Sequence, residues 1–221
     1  MIVYIFLVYD TLNKLIILHK NTILTMKIII SPAKKLSVDK FSLDNCSFIH
    51  FLNETKYLVD TLRKNNVNDI KHMMSLSSDL AQLNFDRYQE WDLRSDKVNP
   101  AIHMFVGDVY KSLNVDGFSS EDMEFAQENL RIISGLYGLL RPLDKVFPYR
   151  LEMGTKLATS FGRNLYEFWG DKLNDKLSFS MRDNDFVVNL ASHEYSKALK
   201  LDKLNHDVIT PIFKDYKNGK L

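Results

Sequence analysis

Apolar positions along this chain fall into short separate groups. Lys27-Ile-Ile-Ile30, closed by Ser31-Pro32, predicts a short buried strand. Phe51, Leu58 and Leu62 lie on helical spacing, and Lys64-Asn65-Asn66 marks the end of that helix. Ile70 to Met74 predicts a second short helix. Leu76-Ser77-Ser78-Asp79 interrupts it, and Leu80, Leu83 and Tyr88 resume helical spacing as far as Trp91. The strongest helical stripe is Met123, Ala126, Leu130, Ile133 and Tyr137. Ser119, with Asp122 three residues on, is its predicted cap, and Pro142 is its predicted stop. Asn164 predicts the cap of a helix over Leu165 to Leu173. Phe186 to Leu190 and Asp207 to Phe213 predict strands, the second an edge strand or one broken at Pro211. Lys217-Asn-Gly-Lys-Leu221 has the composition of a hairpin turn with its second strand missing. With no repeat, low-complexity tract or linker, the order of elements predicts a mixed α/β (α+β) single domain with a central sheet and surrounding helices.

Residues 1–25 read differently. The apolar run Ile2 to Tyr9 is broken by Asp10, Asn13 and Lys14, well short of the ~20 residues of a spanning helix. It carries neither a basic leader nor a small-residue cleavage site. Residues 1–25 are read as an N-terminal extension and 26–221 as the domain.

Composition and charge narrow the classes. The 221 residues are 45% apolar and 26% charged, as in an ordinary soluble protein. The single cysteine, Cys46, excludes an internal disulfide and suits the cytoplasm. Net charge is +1, but it is unevenly placed. Val38 to Asp96 holds seven Lys/Arg against ten Asp/Glu, whereas Arg131 to Arg182 holds nine against five. A basic half can present a phosphate-binding face on a nearly neutral protein.

Candidate chemistry is sparse. None of the six histidines pairs with another at helical spacing, so no metal site is expected. Dinucleotide and Walker glycine patterns are absent, so no cofactor is expected. Ser31-Pro-Ala-Lys34 matches a Ser-x-x-Lys spacing, which can set an amine beside a hydroxyl, but its companion signatures are missing. The plainer reading is a strand-to-helix turn with a capping serine and a solvated lysine. An enzyme site at strand ends would join Ser31 and Lys34 to Asn189 and Ser192. The densest segment is Ser134-Gly-Leu-Tyr-Gly-Leu-Leu-Arg-Pro-Leu-Asp144, followed by Pro148-Tyr-Arg-Leu-Glu-Met-Gly154. Gly135 and Gly138 there permit close approach, either of the chain's own backbone or of DNA. Arg131, Arg141 and Arg150 crowd the same stretch.

These two motifs resemble the YaaA family of bacterial peroxide stress resistance proteins. Ile30-Ser-Pro-Ala-Lys34, Gly107-Asp-Val-Tyr110, Phe168-Trp-Gly-Asp171 and Val188-Asn-Leu-Ala-Ser192 extend the resemblance in order from Met26 to Leu221. It implies a family-specific fold and a cytoplasmic protein of the hydrogen peroxide response, without established catalysis; a monomer is expected. It also implies binding of duplex or branched DNA through a basic cleft and a helix-hairpin-helix element. The implied cleft cations are Lys34, Arg87, Arg131, Arg141, Arg150 and Lys197, and the implied hairpin turn is Leu76, Ser77, Ser78 and Asp79. The family commonly has lysine where Val106 stands, and a lysine can follow the hairpin where Asp79 stands. It also continues beyond Asn218-Gly219 with a further strand and a basic tail, so the sequence reads as C-terminally truncated.

Overall fold

The structure is a computed structural model that describes residues 25–212. Its central sheet has five strands: β1 (Met26–Ile30), β2 (Leu130–Ser134), β3 (Gly138–Leu140), β4 (Phe186–Asn189) and β5 (Val208–Ile209). The spatial order is β3-β2-β1-β4-β5. β1 runs parallel to β2 and β4, β4 runs parallel to β5, and β3 closes one edge antiparallel to β2. Ile28, Ile29 and Ile30 stand opposite Leu130, Arg131 and Ile132. The architecture is mixed α/β, as the order of elements predicts.

Around this sheet lie α1 (Leu52–Arg63), α2 (Val67–Met74), α3 (Ser78–Glu90), α4 (Asp108–Leu113), α5 (Ser120–Asn129), α6 (Leu165–Trp169), α7 (Lys172–Phe179) and α8 (His193–Ser196). Two small ribbons pair Lys35–Leu36 with Phe105–Val106 and Asn99–Pro100 with Lys145–Val146. Among the described residues no helix is long and apolar enough to cross a membrane. The Ser119 cap on α5 is the expected one, a full capping box with Asp122. Asn66 and Asp69 form another on α2.

The long stripe from Met123 to Tyr137 is not one helix. α5 stops at Asn129, whose side-chain amide donates to the Phe125 carbonyl at 2.9 Å. Leu130 to Ser134 is then a strand, buried at all five positions. A strand covered on both faces is continuously apolar, so its hydrophobic positions also satisfy a helical template. Pro142 stops no helix; it lies in the turn from Arg141 to Asp144. The helix expected over Leu165 to Leu173 is two helices, divided at Gly170, where φ is +54°. The strand expected from Asp207 is present as Val208–Ile209 at the sheet edge. Phe213, the turn at 217–221 and residues 1–24 lie outside the described residues.

An irregular strap, residues 147–154, lies across the core behind β2. Its apolar side chains Phe147, Tyr149, Leu151 and Met153 are buried. Its polar groups find buried partners. The Tyr137 hydroxyl donates to the Phe147 carbonyl at 2.9 Å and accepts from the Phe147 N–H at 3.0 Å. Trp91 Nε1 donates to the same hydroxyl at 2.9 Å. The Tyr149 hydroxyl meets Ser134 Oγ at 2.6 Å, and the Tyr88 hydroxyl donates to the Arg150 carbonyl. Gly135 lets the strap come this close: a Cβ there would lie 2.3 Å from the Leu151 carbonyl oxygen. Gly138 has φ +76° and faces Phe51, Trp169 and Leu173. Both glycines are buried, so the close approach is that of the protein's own chain.

Gly135→Ala is expected to destabilise the fold by at least about 1–3 kcal/mol, because the opposing atom is backbone. Thermal unfolding should show it as a lower Tm. Burial also pushes the phenols of Tyr88, Tyr137 and Tyr149 above their ordinary range. Their contribution to stability is fully present below the unfolded value of about 10 and is lost as pH rises towards the folded values. Stability should therefore fall steeply above about pH 10, with tyrosine ionisation at 295 nm appearing together with unfolding.

Candidate functional site

β1 ends in the loop Ser31-Pro32-Ala33-Lys34, and its neighbour β4 ends in the loop that leads to α8. The chain leaves β1 for β2 on one side and reaches β4 on the other. In open parallel sheets such a reversal leaves a crevice beyond the carboxyl ends of the strands. The Ser192 N–H donates to Ser31 Oγ at 2.9 Å, and the two hydroxyl oxygens are 3.3 Å apart. The Tyr110 hydroxyl holds the Ser31 carbonyl at 2.9 Å.

Lys34 turns elsewhere. Its ammonium lies 3.1 Å from Glu152 Oε1, and its side chain is 66% exposed. Arg150 donates to the same oxygen through Nε at 3.2 Å and Nη2 at 2.8 Å. Partial burial opposes ionisation of Glu152, but the hydrogen bonds from Lys34 and Arg150 outweigh it and hold the carboxyl below its usual range. Asn189 donates to Thr210 Oγ1 at 3.4 Å and accepts from the Ala191 N–H at 3.1 Å, which fixes the strand end. Of the four candidate enzyme residues, only Ser31 and Ser192 meet. Ser31 and Lys34 have different partners and form no dyad.

The strap ties further cations to this end. The Tyr88 hydroxyl on the Arg150 carbonyl sets the last turn of α3, which carries Arg87, beside Arg150. Arg87 donates to Asn84 Oδ1 at 3.3 Å, and burial lowers its pKa. With Asp86, Glu90, Lys97, Phe147 and Pro148 it lines a groove of about 320 Å³. On the other side the Gly154 N–H donates to Glu194 Oε1 at 2.9 Å. The Lys197 ammonium sits 4.9 Å above the Tyr166 ring, over an open depression of about 410 Å³.

Arg131 and Arg141 do not join this group. Arg131 is the second residue of β2, and Arg141 follows Leu140, the partner of Ile132. About 13 Å of strand, four residues, separates Arg131 from the strap contact at Gly135. Arg131 is buried and donates to the Gln127 and Leu130 carbonyls at 3.1 and 2.8 Å. Arg141 pairs with buried Asp144 at 2.9 Å. The expected hairpin turn is a tight connection between α2 and α3 through Ser75 at φ +51°. Leu76 is buried, Ser77 caps α3, Ser78 accepts from Lys71 at 2.9 Å, and Asp79 is exposed in the first turn of α3. Among the described residues no three His, Cys, Asp or Glu side chains gather as a metal ion would need.

A family profile described as peroxide stress protein YaaA matches residues 26–221. The chain belongs to the YaaA peroxide stress family. It is 48% identical over 198 residues to a UPF0246 protein of Marinomonas sp. (strain MWYL1), covering 88% of this chain and 76% of that relative. It is 46% identical over 200 residues to a UPF0246 protein of Saccharophagus degradans, covering 88% of this chain and 78% of the relative. Of the residues in the two densest motifs of this YaaA chain, Gly135, Tyr137, Tyr149 and Arg150 lie in the strap or at its contacts.

Sequence reasoning passed over Glu152, although it stands inside a quoted motif. The available signal was a carboxylate two residues from Arg150 in an otherwise apolar segment. Glu152→Gln should cost about 1 kcal/mol at neutral pH, since a partly exposed charged acceptor is lost. The Glu152 contribution is present above the unfolded value of about 4.3 and is lost as pH falls through the depressed folded value. Urea denaturation should therefore separate the two proteins at pH 7, and the difference should vanish in acid.

Proposed function

We propose that this YaaA protein acts in the cytoplasm, as a monomer, by binding duplex or branched DNA through its phosphates without sequence preference. One observation carries the reading. Lys34 and Arg150 converge on the single carboxylate of Glu152, two cations on one anion at the carboxyl end of the sheet, with the Glu194 carboxylate held further along the strap by Gly154. Arg87 and Lys197 stand on segments that touch the strap, the first on α3 through Tyr88 and the second just after α8 through Glu194. Charge-assisted contacts to phosphate oxygens carry no base information, so such a surface binds by position rather than by sequence. Arg131 and Arg141 lie outside this track. The Leu76–Asp79 hairpin enters the reading as the support of α3, which carries Arg87. As a direct phosphate cradle it is opposed by the exposed carboxylate of Asp79 at the start of α3. The rival reading of a Ser31-centred enzyme loses its base, because Lys34 is engaged with Glu152.

Fluorescence anisotropy of a labelled duplex tests the reading. Affinity should fall linearly on logarithmic axes as salt rises, with a slope of about −0.9 per phosphate neutralised. Lys34→Gln should flatten that slope by about one and weaken unrelated sequences equally. No binding at about 50 mM salt, or affinity insensitive to salt, would overturn it.

A further inference from the structure

The cations that the strap leaves out form a second surface. Around the amino-proximal part of β2 and the adjoining end of β3 lie Arg131, Arg141, Lys145 and Lys176. Asp144 lies among them, buried and already holding Arg141 and the Ser47 hydroxyl at 2.6 Å, and Glu128, paired with Lys27, also faces Arg131. Among the described residues, Arg131, Lys145 and Lys176 have no carboxylate within ion-pair distance. The crowding shows in titration: burial, then Arg141 and Arg131, lower the Lys176 ammonium. Burial, then Lys176, lower the imidazole of neighbouring His50. Uncompensated cations brought together at a protein surface favour an anion among them.

Two large aromatic side chains stand out in the same place. Phe48 is 75% exposed and Phe179 is 87% exposed. Neither helps to build the core. Lys145 lies 5.5 Å from the Phe48 ring, and Lys176 lies 5.9 Å from the Phe179 ring. Arg141 donates to the Phe48 carbonyl at 3.3 Å, which ties the Phe48 backbone to the guanidinium. Exposed rings interleaved with cations suit a strand whose bases are free to stack while its phosphates stay near the ammonium groups. A closed duplex offers its phosphates but not its base faces, so it cannot use the rings.

We propose that Phe48 and Phe179, with Arg141, Lys145 and Lys176, form a stacking surface for single-stranded nucleic acid, separate from the strap. The inference does not depend on the strap binding duplex DNA. Its contacts are sequence-tolerant, because every base has a π-face.

The test uses the full chain and a labelled oligothymidylate of about 12 nucleotides, a length within the usual range for such surfaces. Phe48→Ala and Phe179→Ala should each weaken its binding about tenfold, while leaving duplex binding unchanged. Lys34→Gln should leave oligothymidylate binding unchanged. The two phenylalanine variants remove exposed rings, and circular dichroism with unchanged Tm confirms their fold. No oligothymidylate binding at about 50 mM salt would overturn the proposal. So would wild-type affinity in both phenylalanine variants, or equal weakening of single strand and duplex by Lys34→Gln, which would mean one surface. Retained oligothymidylate binding without duplex binding would support this proposal and sink only the duplex reading.

Discussion

The crossing of the strap over the end of β2 is the constraint on which the rest of the structure depends. The Leu151 carbonyl can lie where it does only because Gly135 has no side chain. Bringing backbone that deep leaves polar groups without water, and each must find a partner. Tyr88 and Tyr137 supply those partners to the strap backbone, and Trp91 and Ser134 satisfy the hydroxyls of Tyr137 and Tyr149, all from two places in the sequence. Core and candidate site are therefore not separable. The contacts that bury Phe147, Tyr149 and Leu151 also hold Arg150 at Glu152 and tie the last turn of α3 to the strap.

The same constraint divides the charges. Cations on the strap and at the carboxyl ends of the sheet share carboxylates that face them. Arg131 and Arg141, close to the strap in sequence, are carried by β2 and β3 to the other end of those strands. A count of charge along the sequence finds a basic half but cannot show that it has two centres. Strand direction decides that, and it turns one expected cleft into two surfaces of different chemistry: one with cations and few rings, the other with cations and exposed phenylalanines.

Much of the fold is legible in the sequence, for local reasons. β1, α1, the α2–α3 hairpin, the Ser119 cap and β4 follow from short-range periodicity and capping chemistry. β2 was not legible as a strand. Burial on both faces erases alternation, and Ala126, Leu130, Ile133 and Tyr137 keep helical spacing across the change from α5 to β2. The break at Gly170 is a single left-handed residue, and nothing in the helical stripe around it announces it. The site was half legible. The cation positions stand in recognisable motifs, but Glu152 becomes visible as their common partner only when the strap folds back on the loop after β1.

Ser31 shows how a chemical motif dissolves into structure. Ser-x-x-Lys spacing sets an amine beside a hydroxyl only when the segment is helical. Here Ser31 ends a strand, the next residues form a loop, and Lys34 points to Glu152. The serine oxygen instead accepts the Ser192 N–H and ties the loops after β1 and β4 together. That bond fixes the loop from which Lys34 projects, while the lysine stays mostly exposed. A phosphate arriving at Lys34 would replace Glu152 as its anion, exchanging one charged acceptor for another. The ordering of the loop is already complete, so the exchange would carry little conformational cost. A serine that holds a loop and a lysine that changes anions account for the motif without a nucleophile.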